Sequence, residues 1–417
     1  MNSPKPGTAP PPWRLRGDHL NWLRDQTALQ LRFGSAFEHP TGGAAYLDDQ
    51  GKPDLAQPVY TWVTARMLHV YSLGTLAGIP GCAPLAEAAL RGLTGPQADA
   101  EHSGWFHARG PSQELDASKT AYTHAFVVFA ASSAVVAGLE GASDLLDDAL
   151  STLDERFWDP GAGMHRDSAS PDWSTFSDYR GVNANMHSVE ALLNAADATE
   201  QDRWRDRAQA ITLRVLGWAE AREWRIPEHF DATWTELPDH HRDQPDHPFE
   251  PFGATVGHGL EWARLAVQVA ASSGGDQTSK DTLLEGAVHL FDRAVIDGWA
   301  VDGADGFVYT TDWSGNPVVR RRMHWVLCEA IAAAAALAQA TGQSRYEQWY
   351  QCWWDHAATH YVADNGSWQH ELNEDNTPSS VVWPGRPDLY HSFHTVVLPR
   401  LPLAPMAAPA IAQGMMR

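Results

Sequence analysis

Cysteines and long apolar runs are scarce in this sequence. Only three cysteines occur among 417 residues, none in a CxxC spacing, so we expect neither a disulfide framework nor a structural zinc site. No run of about 18 apolar residues is found, so we expect no membrane-spanning helix.

Basic residues are outnumbered by acidic ones, 30 to 52, which gives a net charge of −22. Nucleic acid and anionic membranes are themselves negative, so we exclude both as partners.

The first residues also lack the apolar core of a signal peptide. The segment MNSPKPGTAPPPWR is rich in proline, and we interpret residues 1–14 as a disordered arm. No later stretch has the composition of a linker, so we predict a single catalytic domain over residues 15–417. The sequence thus predicts a cytoplasmic globular protein, either a monomer or a small homo-oligomer.

What the sequence does contain is a loose repeat. Six apolar, helix-like segments each carry a histidine near their start or middle, and amphipathic segments lie between them. Short, aromatic, turn-rich stretches around these segments predict small hairpins or loops. Six units of two helices favour a closed toroid over an open solenoid, because no charged capping repeats are evident. The inner helices would then start around one mouth, and residues near the six histidines would converge on one pocket. The histidines are His69, His124, His187, His258, His324 and His391.

Four blocks of this sequence resemble one known family. The segments RGVNANMHSVEALL, FGATVGHGLEWARL, MHWVLCEAI and RPDLYHSFH are similar to the N-acylglucosamine 2-epimerase superfamily, and most closely to its aldose–ketose isomerase branch. The blocks occur in family order, and the resemblance covers nearly the whole chain after the arm. It implies an (α/α)6 barrel that isomerises or epimerises an open-chain sugar at C2, with no metal and no nicotinamide cofactor.

Moving a carbonyl between C1 and C2 of a sugar requires a base with a near-neutral pKa and a group that opens the ring. Histidine, with an ordinary pKa of ~6.5, suits both tasks, and we predict His258 and His391 as the catalytic pair. Spacing alone favours a packing role for His258, whereas the resemblance favours catalysis. Glu261 follows three residues later on the same helix face and is expected to orient it. The resemblance selects His391, directly after a tyrosine, over His394.

The resemblance also implies separate roles for the two histidines, in which His391 moves the proton between C2 and C1 and His258 opens the ring. The sequence itself does not decide which histidine has which role. Arg66 matches a family arginine and is expected to stabilise the enediolate, with a purely structural ion pair as the alternative. Asn183 and His187 share a helix face at i, i+4, where they could bind hydroxyl groups. No tight ligand spacing supports a metal. The predicted substrate-binding residues are Arg66, Tyr122, Asn183, His187, Glu261, Trp325 and Trp383.

The substrate prediction depends on one departure from the family pattern. The stretch HPFEPFG carries Glu250 where the family leads us to expect arginine, and a carboxylate would repel an anionic sugar. We therefore predict a neutral free monosaccharide, D-mannose converted to D-fructose, through a cis-enediol.

Three alternatives remain open at this point. One is a 2-epimerase that interconverts D-mannose and D-glucose. Another is a glycoside hydrolase or lyase, which needs a carboxylate pair that loop residues such as Asp302, Asp305 and Glu371 do not clearly form. The last is a non-catalytic binding module.

Overall fold

The histidine-bearing segments fold as an inner ring of helices, and the amphipathic segments between them form an outer ring. The computed structural model describes residues 11–112 and 114–417. The outer helices are α1 (Gly17–Phe33), α3 (Cys82–Thr94), α5 (Ala142–Thr152), α7 (Asp202–Glu220), α9 (Gln277–Gly298) and α11 (Ser344–His360). The inner helices are α2 (Thr61–Leu76), α4 (Ala121–Val136), α6 (Val182–Thr199), α8 (Val256–Ser272), α10 (His324–Thr341) and α12 (Tyr390–Val397). The predicted barrel is confirmed, and the structure adds α13 (Ala407–Ala412).

The inner helices are buried along most of their length, as expected for helices that are apolar on every side. In α10 the run Ala332–Ala336 is fully or almost fully buried. Its small side chains leave room for close approach by neighbouring helices, and alanine also favours the helical state. The outer helices bury one face and expose the other, which matches their amphipathic sequence.

The inner ring closes on itself. Each inner helix contacts the next along the chain, from α2 through α4, α6, α8 and α10 to α12, and α12 contacts α2 again. α1 packs against α12 as its outer partner, so the first and last helical units are joined across the chain ends. α13 contacts α2, α4 and α6. Three 3-10 turns (Trp13–Leu15, Gly34–Ala36 and Leu398–Arg400) and one π-helical turn (Leu153–Phe157) complete the helical part.

Short antiparallel strands fix where the inner helices begin. They are β1 (Tyr46–Leu47), β2 (Pro53–Asp54), β3 (Val59–Tyr60), β4 (Ala108–Arg109), β5 (Leu115–Asp116), β6 (Lys119–Thr120), β7 (Trp158–Asp159), β8 (Met164–His165), β9 (Ser168–Ala169), β10 (Arg180–Gly181), β11 (His229–Phe230), β12 (Ala254–Thr255), β13 (Thr310–Thr311), β14 (Pro317–Val319), β15 (Arg322–Met323), β16 (Glu371–Leu372) and β17 (Pro378–Ser379).

Five of these strands directly precede inner helices: β3, β6, β10, β12 and β15. They pair with β4, β9, β11, β13 and β16, which lie in the loops after the following outer helices. The same pairing in successive units places the helix starts at one end of the barrel. The predicted hairpins and loops at the mouth are confirmed.

The predicted N-terminal arm falls mainly on residues 1–10, which lie outside the described residues. Within its last part, Trp13 begins a 3-10 turn, and the buried Arg14 pairs with Glu347 of α11 at 3.2 Å. The chain is therefore packed against the barrel before α1 starts. Among the helices described, none is both long and apolar enough to span a bilayer.

Candidate active site

The starts of the inner helices surround a pocket with an empty volume of about 690 Å³, within the range of roughly 300–1,000 Å³ usual for small-molecule sites. All of the predicted site residues line it, namely Arg66, Tyr122, Asn183, His187, His258, Glu261, Trp325, Trp383 and His391. The structure adds Trp62, Pro248, Phe249, Tyr309, His324, His370, Pro387 and Asp388 to the lining. Residues far apart in sequence therefore converge on one site, as the repeat predicted.

His391 is held by a carboxylate from a neighbouring helix. It is the second residue of α12, and its Nδ1 lies 3.0 Å from Oε1 of Glu329 in α10. An imidazole that donates from Nδ1 keeps its Nε2 as an acceptor. Burial, and then the nearby charge of Arg66, lower the pKa of His391 well below its ordinary value. The ring is therefore neutral at pH 7 and can take a proton.

The rival His394 lies one turn further along α12 and does not line the pocket. It is buried, and its Nε2 lies 2.8 Å from Nε2 of His69. His69 in turn contacts the hydroxyl of Ser133 at 2.8 Å. The placement of His391 rather than His394 in the pocket agrees with the choice made from the sequence.

His258 has a carboxylate partner that the sequence reasoning missed. Its Nδ1 lies 2.9 Å from Oε1 of Glu228, a buried residue just before β11. The prediction that Glu261 orients His258 is wrong. The carboxylate of Glu261 turns instead to Arg264, at 3.3 Å, and lies 3.9 Å from Nδ1 of His187. Glu228 lies 30 residues before His258 on a different element, so no helical spacing could have identified it.

A buried arginine forms the floor beneath the pocket. Arg264 contacts Glu329 at 2.8 Å, Glu190 at 3.1 Å and Glu261 at 3.3 Å. Burial alone would raise the pKa of Glu190, but Arg264 lowers it well below its ordinary value. Burial and the charge of Glu329 raise the pKa of Glu261 well above its ordinary value. Glu261 therefore holds a proton more tightly than an ordinary glutamate does.

Arg66 is fixed from two sides at the pocket wall. Its Nη1 donates to Asp388 at 3.0 Å and its Nη2 donates to the hydroxyl of Tyr122 at 3.0 Å. The guanidinium also lies over the rings of Phe126 and Tyr390, at 4.4 and 4.6 Å. Although burial opposes the charge, Tyr122 and Asp388 raise the pKa of Arg66. A permanent positive charge therefore lies at the pocket wall.

Several residues that line the pocket carry buried polar atoms without a protein partner among the described residues, and two of these atoms belong to residues of α6. They are Oδ1 of Asn183 and Nδ1 of His187, both buried. Buried polar groups are rarely left unpaired, so these two atoms are suited to bind ligand hydroxyls. Burial lowers the pKa of His187 to about 4, which keeps this ring neutral.

Aromatic rings form the pocket walls. The ring of Trp325 lies 5.2 Å from that of His258 and 5.8 Å from that of His391. Phe249 and Trp383 meet edge to face at 5.4 Å. Flat apolar faces of this kind suit the C–H surface of a sugar, while the polar groups between them suit its hydroxyls.

Two of the six repeated histidines do not line the pocket themselves, although residues near them in the sequence do. His69 lies deeper in the barrel against His394. His124 bonds the carbonyl oxygen of Thr120 at 2.7 Å and accepts from the backbone N–H of Trp105 at 3.2 Å. Both are core histidines with satisfied ring nitrogens. The other members of the repeat line the pocket, including His324, which stacks on His370 at 3.7 Å.

Glu250 does not lie where it could select against an anionic sugar inside the pocket. Oε2 of Glu250 lies 2.7 Å from Nε2 of His240, and Glu250 does not belong to the pocket lining. Its neighbours Pro248 and Phe249 line the pocket instead. The carboxylate therefore does not repel an anionic substrate from inside the site.

One side-chain group inside the barrel has the composition of a metal site. His187, Glu190 and Glu261 each offer a ligand atom within 4.8 Å of the others. Arg264, however, pairs with both carboxylates, and a cation beside its guanidinium would be repelled. The donor set fits an ion-pair cluster better than a metal site.

Comparison with known proteins agrees with this geometry. Residues 42–395 match the family described as N-acylglucosamine 2-epimerase. The chain is 48% identical to a D-mannose isomerase of Thermobifida fusca, over 96% of this chain and 98% of that protein, and 46% identical to one of Pseudomonas cannabina pv. alisalensis, over 96% and 97%. A crystal structure of D-mannose isomerase superposes with a TM-score of 0.85 at 26% identity, covering 93% of this chain and 98% of that one. The chain therefore belongs to the N-acylglucosamine 2-epimerase family.

Proposed function

We propose that the protein is an aldose–ketose isomerase that interconverts D-mannose and D-fructose. Two relatives named D-mannose isomerase match it over nearly their whole length at 46% and 48% identity. The observation that carries the proposal is the pair of pocket histidines, His258 and His391, each fixed at Nδ1 by a buried carboxylate. Both therefore present Nε2 as a base or, once protonated, as an acid.

The proposed reaction begins with ring opening. His258 takes the proton of the anomeric hydroxyl, and a proton is returned to the ring oxygen as the C1–O5 bond breaks. His391 then removes the C2 proton of the open-chain aldose, and the C1 carbonyl oxygen gains a proton to give a cis-enediol. Loss of the proton from the C2 hydroxyl forms the C2 carbonyl, and His391 returns its proton to C1. No net electron or proton is gained, as isomerisation requires.

Negative charge develops on the sugar oxygens as the C2 proton leaves. Arg66 places a fixed positive charge at the pocket wall, held by Asp388 and Tyr122. Such a preorganised charge stabilises an enediolate without rearranging during the step. The carboxyl group of Glu261 and the unpartnered atoms of Asn183 and His187 can form further hydrogen bonds with hydroxyl groups.

A second candidate, epimerisation at C2, uses the same pocket. It would draw on both histidine–carboxylate pairs, with one histidine removing the C2 proton and the other returning a proton to the opposite face. Hydrolysis of a glycosidic bond fits less well, because it needs two carboxyl groups across the scissile bond. The pocket carboxyl groups of Glu261 and Asp388 are engaged by Arg264 and Arg66.

Incubation with D-mannose in deuterated water tests the proposal. We expect D-fructose that carries deuterium at C1, because part of the proton removed from C2 exchanges with solvent on His391 before it returns. The products are separated by chromatography, and the deuterium is located by NMR. D-Glucose with deuterium at C2 as the main product would instead support the epimerase. D-Glucose 6-phosphate and a disaccharide serve as control substrates that we expect to remain unchanged.

Replacing Glu228 by glutamine tests how His258 is oriented. The amide N–H of glutamine can donate to Nδ1 and so favour the wrong tautomer of the ring. We expect Glu228→Gln to lower kcat by about 10- to 100-fold, the usual cost of losing a group that orients a histidine. Steady-state kinetics with D-mannose measure the change, and Glu236→Gln, at a residue paired with Arg222, is the matched control. Equal rates in wild type and Glu228→Gln would contradict this role.

The cellular setting and domain organisation belong to the same proposal. A cytoplasmic location agrees with the three cysteines, which are unpaired thiols, since disulfides are rare in that compartment. We propose that residues 15–417 act as one catalytic domain, because the closed ring uses helices from both ends of the chain. The proposed partner is a neutral monosaccharide, and the histidine chemistry requires neither metal nor nicotinamide.

A further inference from the structure

A cluster of histidines outside the proposed reaction lies beside the pocket mouth. It belongs to residues 239–250, here called the histidine loop, between β11 and β12. The loop contributes His240, His241, His247 and Glu250. The ring of His241 lies 4.1 Å from that of His240 and 4.4 Å from that of His247. None of these side chains lines the pocket or takes part in the proposed proton transfers.

Three of the groups offer ligand atoms close to one point. His240, His241 and Glu250 each place one such atom within 4.8 Å of the others. Nε2 of His240 lies 2.7 Å from Oε2 of Glu250, and Nδ1 of His241 lies 3.8 Å from the same oxygen. These side chains are between 20% and 31% exposed. An ion from solution can therefore reach them, unlike the buried carboxylates around Arg264.

The donor set is the one that zinc prefers. Two imidazole nitrogens and one carboxylate oxygen are common zinc ligands, and a water molecule can complete a tetrahedron. The charge of the protein also favours a cation. The protein as a whole carries a net charge of −22. The alternative is a loop ordered by hydrogen bonds alone, such as the one between Nδ1 of His241 and the carbonyl oxygen of Glu250 at 2.8 Å.

The loop connects these ligands to the substrate pocket. Phe249, next to Glu250, lines the pocket and lies 5.4 Å from the ring of Trp383 and 6.2 Å from that of Trp62. An ion shared by Glu250 and the two histidines would tie the two ends of the loop together and restrict the movement of Phe249.

We propose that His240, His241 and Glu250 bind one divalent transition-metal ion of the zinc class, and that the bound ion holds Phe249 over the pocket and slows sugar exchange. The binding site stands on the loop geometry alone. Its inhibitory effect rests on the proposed isomerase function.

Titration of the full-length protein with Zn²⁺ by isothermal calorimetry tests the site. We expect one saturable ion per chain, with affinity lowered at least about tenfold in Glu250→Gln and in His241→Gln. His391→Asn is the matched control, since it removes a pocket histidine and leaves the loop intact. Wild-type affinity in both loop variants, loss of binding in His391→Asn instead, or no saturable binding by the wild type would each overturn the site. A thermal melt shows whether each variant is folded. If one of the two loop variants does not fold, the other still tests the site.

Rates with and without Zn²⁺ test the coupling to the pocket. We expect Zn²⁺ to inhibit D-mannose conversion by the wild type and to have at least a tenfold weaker effect on Glu250→Gln, each relative to its own metal-free rate. Equal inhibition of both proteins would overturn the coupling. Zinc binding at the loop in a protein that converts no sugar would leave the site intact and refute the proposed isomerase instead.

Discussion

Replacing His391 by asparagine is expected to lower kcat for D-mannose by about 10²–10⁴-fold, the range that a positioned general base contributes. Asparagine can still donate a hydrogen bond to Glu329, so the buried carboxylate keeps a partner and the fold is expected to survive. It has no group that can take the C2 proton. Initial rates of D-fructose formation measure the loss of turnover, and deuterium incorporation from solvent measures the loss of proton transfer itself.

The matched control for this variant is His394→Asn, on the same helix one turn later. His394 is buried against His69 and does not line the pocket, so its loss is expected to lower the melting temperature while proton exchange continues. A wild-type rate in His391→Asn would refute the assignment of the base. If His394→Asn lost deuterium exchange while His391→Asn retained it, His394 rather than His391 would be the base that removes the C2 proton.

The barrel could be predicted from the sequence because its signals are local and repeated. Apolar helices that carry a histidine alternate with amphipathic ones, and only a closed ring buries every inner helix without capping repeats. The resemblance of RPDLYHSFH to the family then separated His391 from His394, which periodicity could not do. The structure shows the barrel and places His391, but not His394, in the pocket lining.

The partners of the two histidines proposed as catalytic could not be predicted, because they lie on other elements. Glu228 reaches His258 from the loop before β11, and Glu329 reaches His391 from α10. The prediction that Glu261 orients His258 was wrong because Glu261 has another partner on its own helix. Glu261 also lies three residues before Arg264, and an opposite charge at i+3 on a buried face is a stronger partner than a neutral imidazole.

The repeat does not tell which of its histidines line the pocket themselves, as His69 and His124 show. A histidine in the core can satisfy both ring nitrogens, as His124 does with the backbone groups of Thr120 and Trp105. Periodicity tells which residues share a helix position but does not tell how deep a side chain lies in the barrel. His69, for example, is the ninth residue of α2, whereas His258 is the third residue of α8.

Replacing Arg264 by leucine is expected to lower the free energy of unfolding by about 3–5 kcal/mol, the usual cost of removing one partner from a buried ion pair. Leucine fills much of the apolar volume of the arginine stem but leaves Glu190 and Glu329 without their cation. Denaturant unfolding at pH 7 measures the loss. Arg345→Leu is the matched control, because Arg345 pairs with Asp292 at the surface, where an ion pair contributes about 0–1 kcal/mol. Similar losses in the two variants would contradict a special role for Arg264.

The pH dependence of that loss identifies its cause. In the wild type, Arg264 holds the pKa of Glu190 well below its ordinary value, so this stabilisation is present above the unfolded pKa of ~4.3 and fades as the pH falls through the lower folded pKa. In Arg264→Leu, only His187 and His394 still oppose the effect of burial, so the pKa of Glu190 rises and protonation in mild acid removes part of the destabilisation. We therefore expect the stability difference between the two proteins to be largest near pH 7 and to shrink towards pH 4. A difference that stays constant over this range would mean that lost packing, not the unpaired carboxylates, destabilises the variant.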